Sequence, residues 1–479
     1  MGRVSAGGRG LRLAMAVVGL LAAAAAGLGI GVRSTYAGHA AVDEPQYLLT
    51  ALSLGEDRSL DISDELADRR WRPFYQADPP VQTALLPGGR QLSPHDPLLP
   101  ALLAVPMTVG GWAAAKATLA AAGGLLAALT LWLAVRRFGV PLRLAAPGVA
   151  VAACSAPLAV YGQQVYPELP AALAATAAVA ALTGPLRRAG LAALAAAVVV
   201  LPWLSVKYVP VAAALAAVAL ARLWRRGDGR PALALTGVLA AAGAGYLGLH
   251  RIVWGGWTAY ATGDEFAGRG EFGAVGFHPD YLGRSIRLLG LLVDRDFGLA
   301  AWQPAWLLVL PALAALLRAR PPGWAALAFP LAAGWLGATY LAVTMHGFWW
   351  PGRQVVLVLP LALVTILHWL SRIHRVWTAV AAAMALAGLA YYVLLLRHGW
   401  AADTVWVLAP DRTDLHPPMP SLLPDDRDLS TVDRVKLGVW AAVSVAAVAA
   451  AGAVGVSARR GRSTGRRAGP APAASRTSR

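Results

Sequence analysis

Twelve stretches of this chain stay apolar for the length of a membrane-crossing helix, and they leave few other ways to fold it. They run roughly over 11–32, 112–135, 143–162, 168–184, 189–205, 207–223, 231–253, 298–317, 323–344, 354–370, 376–396 and 436–456. In helical form about 20 such residues cross a ~30 Å hydrocarbon core. Lipid offers the backbone no hydrogen bonds, so helices, which satisfy their own, are the natural spanning form. Charged residues make up 14% of the chain, against about 25% in an ordinary soluble domain. The predicted fold class is therefore an all-α polytopic membrane protein with about 12 transmembrane helices.

The charges between the spans predict an orientation. With the N-terminus in the cytoplasm, the inner segments hold 23 of the 42 Lys and Arg residues but one acid, Asp228. The remaining 24 acids fall outside or at the outer ends of spans. Basic residues retained in short loops set topology, so both termini are expected to be cytoplasmic in a multi-pass plasma-membrane protein. The net charge of +17 reads as this orientation signal and as attraction to anionic lipid, and nucleic acid is not an expected partner. The first apolar run, of about 20 residues, exceeds the 7–15 of a signal-peptide core and reads as an uncleaved anchor. Residues 1–456 form the expected transmembrane domain. Residues 457–479, a basic tract rich in Ser, Gly, Ala and Pro, read as a disordered cytoplasmic tail. The lone cysteine, Cys154, excludes an intrachain disulfide and reads as a packing residue.

Three longer outer loops are expected, over 33–96, 254–297 and 397–435. The first holds 10 of the 25 acids, and helix signals punctuate it. Asp43 followed by Gln46 fits a capping box, with Pro45 in the first turn. Tyr47, Leu48, Ala51 and Leu52 then form one apolar stripe ending at Gly55, the pattern of a helix lying on the membrane surface. A second helical piece is predicted over 63–70, and an interfacial or half-inserted helix over 97–109 that feeds the span beginning near Trp112. Aromatic residues in 71–80 and the pairs Trp254/Trp257 and Trp349/Trp350 read as interfacial belts. Gly268, Gly270, Gly273 and Gly276 suggest a mobile loop, since the strand and helix that frame a dinucleotide site are missing around them.

Polar residues that can carry chemistry gather toward the expected outer face. Asp43 and Glu44 follow the first span; His95 and Asp96 precede the second; Glu168 opens the fourth; Lys207 and Arg353 stand at the outer ends of later spans. Each has a plainer reading: Asp43 as a helix cap, Glu44 as a solvated first-turn acid, His95 as a loop or helix-start residue. Glu168 would be an acid favoured by the helix dipole, Lys207 a snorkelling lysine and Arg353 a headgroup anchor.

The order of these elements resembles that of the GT-C glycosyltransferases, in particular the protein O-mannosyltransferase and aminoarabinose-transferase-like branch. Asp43-Glu44 stands after the first span, with Tyr47 and Leu52 in the following helix. The stretch His95-Asp96-Pro97-Leu98 matches a His-Pro-Pro-Leu-like segment, with Asp96 in place of a proline. Glu168 with Pro170, Lys207 after the fifth span, and Trp349, Trp350, Gly352 and Arg353 before a late span complete it, over roughly 15–370.

That resemblance implies an enzyme that moves a sugar from a polyprenyl-phosphate donor to an acceptor hydroxyl on the outer face, with inversion. The acceptor is a protein, a glycan or a lipid. Asp43, with Glu44 as its neighbour, is implied as the catalytic carboxylate, and His95, Asp96, Glu168, Lys207 and Arg353 as substrate-binding residues. Some relatives use a divalent metal and others do not; the chain shows no compact metal motif, and no cofactor is assigned. The alternatives are a transporter or flippase of a lipid-linked glycan and a non-catalytic membrane scaffold. A transporter is expected to place its ionisable groups near the bilayer midplane on broken helices, whereas here they crowd one surface.

Overall fold

A computed structural model describes residues 3–80, 82–263, 279–407 and 419–464, with side chains masked at 3–7, 420 and 452–464. Among these residues the only extended pairings are isolated bridges, such as Asp61 with Leu92 and Thr83 with Gly263; everything regular is helix. Each of the twelve apolar stretches forms one. Among the described residues eight helices are long and apolar enough to cross a membrane, and shorter apolar helices occupy the other four stretches. The four glycines expected to make a mobile loop lie outside the described residues, as does the tail from 465. The first residues of that tail continue the last helix, which runs to Thr464.

The chain opens with α1 (Arg3–Leu28), α2 (Glu44–Glu56), α3 (Ser63–Ala67) and α4 (Leu98–Arg136). Next come α5 (Leu142–Ala153), α6 (Leu158–Tyr161), α7 (Glu168–Leu182), α8 (Arg188–Leu204), α9 (Val209–Arg225) and α10 (Gly229–Val253). The short α11 (Tyr281–Arg284), α12 (Arg287–Val293) and α13 (Leu299–Trp302) lead into α14 (Val309–Ala319) and α15 (Trp324–Leu336). A turn of 3-10 helix over Arg353–Val358 enters α16 (Leu359–Leu370), followed by α17 (Arg375–Trp400) and α18 (Thr431–Thr464).

Burial separates the centre from the periphery. The most apolar window of Arg353–Leu370 is 89% buried, whereas that of α18 is 6% buried, so the segment that begins at Arg353 is central and α18 is peripheral. Alongside it α7 is buried at Ala171, Ala172, Ala175 and Ala178, small residues that let neighbouring backbones come close. α1 and α4 cross at Gly19 and Gly124: a Cβ on Gly124 would lie 2.6 Å from the Gly19 carbonyl oxygen. The predicted break before the second span is a kink inside α4 at Gly111, with φ 65° and ψ −162°, a conformation open essentially to glycine alone.

The loop helix α2 departs from its predicted form. Every residue from Glu44 to Ser53 is buried, so it is packed into the protein against α4 and presents no solvated face. Its polar groups can be buried because most bond internally. Thr50 Oγ1 donates to Gln46 O at 2.8 Å, and Ser53 Oγ to Asp61 O at 2.7 Å. Gly55 does not end the helix, which runs to Glu56. It gives α4 room, since a Cβ there would sit 3.0 Å from Ala104 O. The capping box does not form either. Asp43 occupies the N-cap position without capping, and Glu44 Oε2 instead accepts the Ala41 amide at 2.8 Å.

The tryptophan belts are also corrected. Trp254 and Trp350 are buried in protein at 4% and 0% exposure. The Trp254 indole donates to Ser93 O at 3.1 Å, and Trp350 O accepts from Tyr161 Oη at 2.5 Å. Of the four belt residues only Trp257 is exposed. Trp71 and Phe74 are buried as well.

Candidate functional site

The segment between α1 and α2 delivers Asp43 by a strained step: Val42, a β-branched residue, adopts φ 48°, which side chains of that kind rarely do. Asp43 Oδ1 accepts from Gln82 Nε2 at 3.1 Å, and Oδ2 from Arg353 Nη2 at 2.7 Å. Gln82 also bonds Val42 O at 3.3 Å and, through its oxygen, His95 Nε2 at 3.1 Å. His95 stacks on Tyr47 with ring centroids 4.4 Å apart. A loop glutamine thus ties the predicted carboxylate to the predicted histidine.

Arg353 is placed by Gly352, whose φ of 82° turns the chain into the 3-10 segment. Its guanidinium lies 4.0 Å from the Tyr166 ring centroid and 5.0 Å from that of Trp349, a cation–π seat that supports charge in a dry place. While Nη2 bonds Asp43, Nε donates to Glu168 Oε1 at 2.8 Å. The same Oε1 accepts from Lys207 Nζ at 2.6 Å. Four charges therefore alternate in one chain, Asp43–Arg353–Glu168–Lys207.

Exposure runs along this chain in a telling order. The side chains of Asp43, Arg353, Glu168 and Lys207 are 15%, 8%, 1% and 30% exposed. The middle is sealed and both ends can be reached. Burial by itself pushes the Asp43 carboxyl up, but Arg353, His95 and Gln82 together outweigh it and hold it at about 2. Burial holds the His95 imidazole below its ordinary value, with Asp43 opposing and Arg353 adding to the effect. At neutral pH the pair is an aspartate beside a neutral imidazole.

Two predicted residues sit behind the chain. Asp96 Oδ2 accepts the Val206 amide at 2.9 Å, while Oδ1 meets Tyr246 Oη at 2.7 Å and His250 Nε2 at 3.0 Å. It thereby pins the turn that carries Lys207 to α10. Glu44 points away from Asp43. Its Oε1 accepts the Val165 amide at 2.7 Å and lies 3.4 Å from Lys116 Nζ, with both side chains 0% exposed. Lys116 also donates to Ser34 Oγ and Gln163 Oε1, at 3.2 and 3.4 Å.

The hub of both arrangements is the short connection 161–168. It supplies Gln163 to Lys116, the Val165 amide to Glu44, Tyr166 to Arg353 and Glu168 to the charge chain. Tyr166 Oη further donates to Ala41 O at 3.2 Å. Sequence reasoning missed Gln82, Lys116, Tyr166, Tyr246 and His250 as parts of the site. Lys116 carried a signal, being an ionisable residue inside an apolar span; Gln82, one polar residue in a polar loop, carried none.

The donor set at Asp43 does not suit a divalent metal. Its two carboxylates, Asp43 and Glu168, are each bonded to Arg353, so a cation already occupies the space between them.

No family model matches the chain, and no curated protein matches it. Among solved structures it is similar to ArnT from Cupriavidus metallidurans, in a crystal structure bound to undecaprenyl phosphate. The identity is 15%, over 92% of this chain and 77% of that one, with a TM-score of 0.48.

Proposed function

We propose that this protein is a membrane glycosyltransferase that moves a sugar from a polyprenyl-phosphate donor to an acceptor hydroxyl at the outer membrane boundary. The observation that carries the reading is the charge chain, sealed in the middle and open at both ends. Lys207 offers an anionic lipid phosphate a cation at the open end, backed by Arg353 across Glu168; Asp43 offers an acceptor hydroxyl an ionised base. The donor is read as a lipid because Lys207 stands at the start of Val206–Arg225, a segment long and apolar enough to cross a membrane. The topology follows from the basic inner segments, with both termini cytoplasmic.

In this reading the acceptor oxygen attacks the anomeric carbon as the bond from that carbon to the phosphate oxygen breaks. The configuration inverts, the hydroxyl proton passes to an Asp43 carboxylate oxygen, and polyprenyl phosphate leaves. Arg353 and Lys207 neutralise the charge that develops on the phosphate, from positions fixed in advance by Glu168 and by the turn held at Asp96. An aspartate held at about 2 is a weak base while Arg353 bonds it. A phosphate that shares the charge of Arg353 weakens that bond and raises the basicity of Asp43, so donor binding primes the base. Glu44, fully engaged by two amides and Lys116, orients the loop and takes no proton.

The test is transfer of labelled sugar from a polyprenyl-phosphate donor by the purified protein. Asp43→Asn is expected to lower turnover by ~10²–10⁴-fold, the usual worth of a general base, with folded yield unchanged. A donor that turns over with retained anomeric configuration rejects the single displacement.

A further inference from the structure

Away from the charge chain, three carboxylates converge where α2 hands over to α3. Asp57 closes α2, and Asp64 and Glu65 lie in the first turn of α3. One oxygen from each lies within 4.8 Å of the other two. Asp57 and Asp64 are exposed, but Glu65 is 3% exposed, and its Oε2 is enclosed without a hydrogen-bond partner. A carboxylate oxygen at that depth is ordinarily satisfied by a donor or a cation. Arg70, five positions on from Glu65, is engaged by Glu56 at 3.0 Å. Among the described residues no Lys or Arg forms an ion pair with Asp57, Asp64 or Glu65.

We propose that Asp57, Asp64 and Glu65 form a Ca²⁺ site that clamps the C-terminal end of α2 to α3. The donors are all hard carboxylate oxygens, which suit Ca²⁺ or Mg²⁺ better than a softer ion. Mg²⁺ demands a near-octahedral shell and gives up its waters reluctantly, whereas Ca²⁺ accepts irregular sets of carboxylates, so the larger ion is the better match. The exposed side left by Asp57 and Asp64 is open to the waters that complete a Ca²⁺ shell. Three ligands with water fit the weak end of Ca²⁺ sites, with Kd on the order of 10⁻⁴–10⁻³ M. α2 has 13 residues, so the clamp lies about 20 Å along the helix from Asp43. It steadies the helix that carries the proposed base without entering the reaction, and it stands or falls independently of the transferase reading.

Full-length protein in detergent, stripped with EDTA, is titrated with CaCl₂ by calorimetry and by its thermal midpoint. One saturable Ca²⁺ per chain is expected, with a midpoint that rises as Ca²⁺ is added. The Asp57→Asn/Asp64→Asn variant alters only exposed positions and is expected to raise Kd at least ~10-fold, the loss of two charged ligands. Asp68→Asn, at an exposed acid outside the cluster, leaves both readouts unchanged. Absence of saturable binding by about 10 mM, ten times the weakest Kd in that range, overturns the site. So does wild-type affinity in the double variant. Binding of MgCl₂ as tight as that of CaCl₂ overturns the assignment of the ion.

Discussion

Asp43 and Glu44 are neighbours in sequence, and each meets a cation from a distant helix, yet the two ion pairs are built to opposite ends. Glu44 and Lys116 are both fully buried, and Glu44 also accepts two backbone amides. That pair is closed: nothing is left over for a ligand, and its effect is to fix the loop against α4 and the 161–168 connection. Asp43 and Arg353 belong to a chain whose ends, Asp43 and Lys207, keep 15% and 30% of their side chains exposed. Buried ion pairs repay their desolvation only when the geometry is good and the other polar atoms are bonded. The closed pair meets that condition by itself, whereas in the open chain Glu168 Oε2 is buried without a hydrogen-bond partner and two groups stay available. The same residue types, one position apart, thus divide into a closed fastening and a chain whose ends stay within reach.

The sharpest way to break the comparison is to remove the cation from the closed pair. Lys116→Met leaves Glu44 charged and buried, and is expected to cost about 3–5 kcal/mol, read as a lower thermal midpoint and lower folded yield in detergent. Adding Glu44→Gln to that variant removes the stranded charge and should restore part of the loss, a coupling that a double-mutant cycle measures. Arg353→Lys probes the open chain next. A lysine keeps the charge but cannot bridge Asp43 and Glu168 with a planar fork. The loss is about 1.5–3 kcal/mol, roughly 10–150-fold, expected mainly in KM for the donor, with folding retained.

A smaller effect probes the Asp43 pair by pH. The Asp43 carboxyl is lowered from 3.8 to about 2, so its ion pair contributes stability that is complete above pH ~4 and fades as pH falls toward 2. At about 1.4 kcal/mol per unit, that is on the order of 2 kcal/mol. The difference in thermal midpoint between wild type and Asp43→Asn is expected to stay constant from pH 8 to about 5 and to close below pH ~4. A gap that closes near neutral pH would show that Asp43 is not held by Arg353 as described.

Much of the architecture could be read from the chain because lipid imposes a simple rule: helix-length apolar runs mark candidate spans without tertiary knowledge. Asp43, Glu168, Lys207 and Arg353 were legible for a related reason, each being an ionisable group at the edge of an apolar stretch. Their mutual contact was not. Asp43 and Arg353 lie 310 positions apart, and no local pattern reports a pairing across that distance. The burial of α2 was hidden because Thr50 and Ser53 count as polar in a sequence, although in the fold each spends its hydroxyl on a carbonyl. Trp254 and Trp350 misled in the same way, since a tryptophan near a span end reads as a belt residue whether its indole meets a headgroup or a carbonyl. Lys116 was missed although it is a charge in an apolar span, and it marks the closed pair.

The central claim, that the open chain works and the closed pair fastens, is tested most directly by measuring sugar transfer per mole of folded protein in Asp43→Asn and Glu44→Gln side by side. Asp43→Asn is expected to fold normally and to fall by ~10²–10⁴-fold. Glu44→Gln is expected to yield less folded protein, with what remains turning over within a few-fold of wild type. Full transfer by Asp43→Asn, or loss of transfer confined to well-folded Glu44→Gln, contradicts the account.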